Sequence, residues 1–168
     1  MKTHLYKDNN VKRTGSRSGN AMLGNNRSEI RRVFTEAWRK HRAGLEMTPL
    51  EALISAIIEQ HPEYHGLIEN PASALERDYL PEGGETNPFL HLGMHISLQE
   101  QVATNRPSGI SALHRQLAAA VGDAHEAEHR LMECLGRTLW EAQSAGTVPD
   151  EQAYLECVRR LIPAWKRN

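Results

Sequence analysis

Apolar residues along the chain recur three and four positions apart, the period of helices that lay one face on a core. Ile30, Val33, Phe34 and Ala37 predict a first helix reaching about Arg42. Asn26 with Glu29 three places on would open it as a capping box, and Gly44 would close it. Thr48 and Pro49 supply an N-cap and a first helical position for a second helix, whose face is Leu50, Leu53, Ile54, Ile57 and His61 until Pro62 interrupts. Prolines 62, 71, 81 and 88 and the pair Gly83-Gly84 then permit only short helical turns followed by a surface loop.

A central helix is expected from about Pro88 to Thr104, stopped by Asn105, Arg106 and Pro107. A fourth, near Ser108 to Val121, carries Ile110, Leu113, Leu117 and Val121 and ends at Gly122. Asp123 caps a long fifth helix to about Ala145, with Ala124, Ala127, Leu131, Leu135, Thr138 and Ala142 as its buried stripe, closed by Gly146. Pro149 and Asp150 start a last helix with Tyr154, Leu155, Val158 and Leu161, ending at Pro163. No alternating β pattern appears, so the class is all-α: a single-domain helical bundle of about six helices over residues 27–168. Residues 1–26 are rich in Asn, Gly, Ser, Lys and Arg and read as a disordered N-terminal tail, with Met22 as an alternative start.

Composition narrows the function classes. The chain of 168 residues has a formal net charge of −1 with its basic and acidic residues interspersed, which disfavours nucleic acid and a membrane surface as partners. A protein partner or a homo-oligomer remains open. Cys134 and Cys157 lie inside helical patterns and form no CxxC, so they read as buried free thiols. There is neither a membrane-spanning run nor a signal-peptide core, and the cytoplasm is the expected compartment. No G-x-S-x-G, P-loop, GxGxxG, HExxH or kinase motif occurs, so there is no signal for an organic cofactor.

Candidate chemistry lies in the histidines. Of nine, six form H-x-x-x-H pairs: His61/His65, His91/His95 and His125/His129. Four residues apart on a helix, two imidazoles project from one side and can reach one metal or two adjacent metals. His91 and His95 share the apolar stripe with Leu98 and Val102. On the fifth helix His125 falls at the stripe's edge and His129 farther round, while Glu128 points near its centre, where a carboxylate needs a cation or a hydrogen-bond partner. Glu126-x-x-His129 matches the di-iron element only once, where a ferritin-like site needs it twice. The expected metal ligands are therefore His61, His65, His91, His95, His125, His129 and Glu128, a set suited to zinc, iron, nickel or copper. Gln99 is placed to accept a hydrogen bond from an imidazole of the site.

Bland readings compete with this one. Core histidines commonly bond backbone carbonyls, and on that alternative the chain is a non-enzymatic interaction module with structural histidines. His41 and His114 lie near apolar stripes without a partner four residues on and receive no role. Trp38, Trp140 and Trp165 read as packing anchors, Met94 and Met132 as core filler, and Arg31, Arg32, Arg39, Lys40 and Arg42 as a solvated face. No catalytic residue can be assigned. If the site is catalytic, metal-assisted activation of water or dioxygen suits it.

The runs EAWRKHRAG (36–44), TPLEALISAIIEQHPEYH (48–65), NPFLHLGMHISLQEQVATNRPSGI (87–110), GDAHEAEHRLMECLG (122–136) and DEQAYLECVRRL (150–161) together resemble a bacterial family known as domain of unknown function 1841. The resemblance covers about Arg27 to Leu161. It implies a compact helical domain and brings no assigned activity, so no functional residue carries over.

Overall fold

The computed structural model describes residues 18–70, 72 and 87–163. These form α1 (Ser18–Arg42), α2 (Pro49–Glu59), a 3-10 turn (Pro62–Tyr64), α3 (His65–Ile68), α4 (Pro88–Thr104), α5 (Ile110–Val121), α6 (Ala124–Ala145) and α7 (Glu151–Leu161). No strand occurs among the described residues, and the class is all-α as expected. The surface loop expected after residue 70 lies largely outside them, as do residues 1–17 and Trp165.

Most boundaries follow from cap chemistry. Thr48 accepts from the Glu51 amide while the Glu51 carboxylate accepts from the Thr48 amide, a complete capping box with Pro49 at the first helical position. Asn87 Oδ1 accepts from the amides of Phe89 and Leu90, Asp123 from Glu126 and Asp150 from Ala153, which opens α4, α6 and α7. Gly122 holds φ +86° between α5 and α6, a conformation side chains disfavour. One boundary moves: α1 reaches back to Ser18, ahead of the Asn26 signal and into the stretch assigned to the tail. Ala21, Met22 and Leu23 favour helix and extend a nucleus set by the packed part.

Two apolar clusters form the core. One gathers Phe34, Ala37 and Trp38 of α1 with Ile54, Ile57 and Ile58 of α2, Ile68, and Phe89 and Leu92 of α4. The other gathers Leu98 of α4 with Ile110, Leu113 and Leu117 of α5, Ala127, Leu131 and Leu135 of α6, and Tyr154, Leu155, Val158 and Ile162. Helix α4 thus contributes its first turns to one cluster and a later turn to the other. Where α1 meets α2, buried Ser55 donates to the Ala37 carbonyl at 3.0 Å, so its hydroxyl is satisfied inside the core.

Several sequence expectations need correction. Ile30 and Val33 are exposed, and α1 instead turns Arg31, Phe34, Ala37 and Trp38 inward. Arg31 is therefore no part of a solvated face: it is buried, with its guanidinium 5.4 Å from the centre of the Phe89 ring. Trp38 is a packing anchor, whereas Trp140 is 67% exposed. Met94 and Met132 pack against the second cluster as expected. Cys134 and Cys157 are not free thiols but a disulfide joining α6 to α7. A period-3.6 pattern shows that both face inward without showing that they face each other.

Candidate metal centre

Three helical elements meet where the two apolar clusters meet, and each brings imidazoles. His61 follows the end of α2, where helical carbonyls lack amide partners, and its Nδ1 donates to the Ile57 carbonyl at 2.7 Å. A carbonyl can only accept, so Nδ1 carries the proton and Nε2 presents a lone pair. Helix α4 brings His91 and His95, one turn apart. Helix α6 brings His125 and His129, also one turn apart, with Glu128 between them in sequence.

The rings form one cluster. His61 lies 4.7 Å, centre to centre, from both His95 and His125, and 5.8 Å from His129. His125 and His129 are 4.3 Å apart, and His95 is 4.9 Å from each. One ring nitrogen from each of His61, His95, His125 and His129 can be chosen so that all four lie within 4.8 Å of one another. Around one ion, nitrogens at roughly 2.0–2.1 Å would stand about 3.4 Å apart in a tetrahedron, so modest ring movement closes the set. His91 adjoins it, with Nε2 3.1 Å from His61 Nε2 and its ring 5.0 Å from that of His95.

Hydrogen bonding separates this cluster from ordinary core histidines. His95 Nε2, His125 Nδ1 and His129 Nε2 are buried with no hydrogen-bond partner. Each unsatisfied buried polar atom costs about 1–3 kcal/mol, and here three occur in one cluster of facing rings. The opposite edge of His95 is fully engaged: its Nδ1 lies 2.7 Å from Glu128 Oε2, and Gln99 Nε2 donates to both oxygens of that carboxylate at 3.3 and 3.4 Å. In the neutral ring Nδ1 then donates and the Nε2 lone pair faces the cluster, the carboxylate–histidine arrangement common behind metal ligands.

Electrostatics keep the lone pairs available. Burial pushes His61 and His129 below the usual imidazole value, reinforced by neighbouring rings. Burial together with His95, His61 and His129 holds His91 at about 4. Burial alone would raise Glu128, but hydrogen bonds from His95 and Gln99 outweigh it and keep the carboxylate ionised.

The seven residues singled out in the sequence are thus sorted. His61, His95, His125 and His129 converge, and His91 adjoins them. Glu128 stands behind His95 instead of among the converging nitrogens. Gln99 supports Glu128 as a donor, where the sequence predicts an acceptor for an imidazole. His65 is elsewhere: Pro62 ends the helix, and its Nε2 lies 2.9 Å from the Ile58 carbonyl with its ring 4.5 Å from that of Trp38. Glu126 is exposed and paired with Arg130 at 3.1 Å. Two further residues were assigned no role from the sequence: Tyr64, whose ring stacks at 5.7 Å on His61, and His114 of α5, whose buried Nε2 has no hydrogen-bond partner.

A family model described as a domain of unknown function, DUF1841, matches residues 26–160. No curated protein and no solved structure matches the chain.

Proposed function

For this chain, which belongs to the DUF1841 family, we propose that it binds a transition-metal ion through His61, His95, His125 and His129. The observation that carries this is the set of three buried ring nitrogens left without hydrogen-bond partners inside one imidazole cluster. A core of structural histidines would spend those nitrogens on backbone carbonyls, as His65 does. The all-nitrogen donor set favours zinc, iron, nickel or copper over magnesium or calcium. Glu128 serves as the orienting carboxylate behind His95, with Gln99 fixing Glu128 in turn. With a further coordination position open, metal-assisted activation of water or dioxygen is the chemistry such a centre would support.

Tag-free protein purified under metal-replete conditions should contain about one ion per chain by elemental analysis. His61→Ala and His95→Ala should each lose most of it, His65→Ala should keep it, and chelator should lower the wild-type melting midpoint. Stoichiometry well below one, or a melt indifferent to chelator, would overturn the proposal.

The interaction-module alternative draws on a different region. Ile30, Leu90 and Leu139 are exposed around a cavity of about 600 Å³ that is also lined by Arg31, Phe89 and Met94. A protein partner or a second copy would find apolar surface there. Sedimentation of the wild type against Leu90→Glu distinguishes self-association from a monomer.

A further inference from the structure

We propose that the metal centre takes a small monoanion as an additional ligand, held between the ion and the Nε2–H of His91. This rests on the four-histidine reading above and adds the class of ligand that the bound ion would accept.

Proton positions supply the first step. His61 Nδ1 donates to the Ile57 carbonyl, so its Nε2 has only a lone pair to offer. His91 Nε2 lies 3.1 Å from that nitrogen, so this contact is a hydrogen bond only if His91 Nε2 carries the proton. A cation that takes the His61 lone pair must break the bond. His91 is then left beside the ion as a half-buried donor in need of an acceptor.

Charge supplies the second step. Four neutral imidazoles leave the full charge of a divalent ion inside the protein, with His61 and His95 essentially inaccessible to water. Glu128 is the carboxylate bonded to the imidazole set. Glu63 and Glu126 are exposed and screened by water, and Glu126 is engaged by Arg130. With Glu128 counted, one positive charge remains. A fifth neutral imidazole would leave that charge in place, whereas a monoanion cancels it and also accepts the His91 proton. The Tyr64 ring stands 5.8 Å from that of His91 on this side, which argues for an ion of a few atoms.

The test uses the full chain loaded with cobalt(II) and titrated with sodium azide, following the visible ligand-field absorption. Wild type should show a saturable change. His91→Ala should retain its cobalt but bind azide at least about tenfold more weakly, the worth of one charge-assisted hydrogen bond. His91→Asn, which keeps an N–H, should recover part of the affinity. A spectrum indifferent to azide in the wild type overturns the proposal with the metal site left standing. Loss of cobalt in His91→Ala makes His91 a ligand and overturns it as well. Failure of the wild type to bind cobalt defeats the metal centre itself.

Discussion

His91 has a predictable signature in the metal-free protein. Its folded value is about 4, against 6.5 in an unfolded chain, and His61 and His129 shift in the same direction. Below 6.5 the unfolded state takes up protons that the folded rings refuse, so stability falls as the pH drops from about 6.5 toward 4. For His91 alone the contribution is on the order of 1–2 kcal/mol once water access to its half-buried ring is discounted. Denaturant unfolding at pH 7 and pH 5 in the presence of chelator should show this loss, and His91→Gln should reduce it, leaving the share of His61 and His129. Equal stability at both values would contradict the buried neutral rings. Glu128, being lowered, adds a loss at still lower pH, as the medium falls below 4.5 and through its folded value. Much of this site was legible, because four-residue spacing on a helix fixes a shared side. His65 was not, since Pro62 ends the helix that its spacing assumed, and the ring turns to Trp38. His125 and His129 seemed peripheral because helical phase is judged against one stripe, while the end of α2 makes the stripe's edge interior.

Between elements, the Cys134–Cys157 bridge ties α6 to α7 across a sequence separation of 23. Closing a loop of that length removes unfolded-state freedom worth roughly 3 kcal/mol. Calorimetry with and without reductant should therefore place the reduced midpoint roughly 6–12 °C lower, with Cys157→Ser reproducing the shift and losing its sensitivity to reductant. An unchanged midpoint would mean that the bridge adds nothing to packing already present. Such bonds persist mainly in oxidising compartments, which pulls against the cytoplasmic location expected from the sequence. Helix ends were the most legible part of the fold, since Thr48, Asn87, Asp123 and Asp150 announce themselves by side-chain chemistry that needs no distant partner. The inward face of α1 was legible only in part: Phe34 and Ala37 turn in as expected, whereas Ile30 and Val33 do not. Ile30 and Val33 compete with Arg31 and Phe34 on period alone, and packing against Phe89 decides the matter. The pairing of two cysteines on different helices depends on their relative register, which no local pattern contains.

Across the whole molecule, the imidazoles occupy the seam between two apolar clusters that α4 spans. His61, at 1% exposure, and His95, at 0%, are covered by the same packing that would have to part for them to be reached. An ion held there would be shielded on the side of His61 and His95 from a competing chelator. Its departure would wait on a transient separation of α4 from α6 and the end of α2, a local opening with its own free energy. Transfer to excess chelator should then be first-order, with a rate that stops rising as chelator concentration increases, measured by stopped-flow or manual mixing with a chromogenic chelator. A rate growing linearly with chelator would place the ion at the surface. The seam would then act as a clock: the lifetime of the bound ion would be set by how often the protein breathes, and the strength of the metal–nitrogen bonds would enter only after the door had opened.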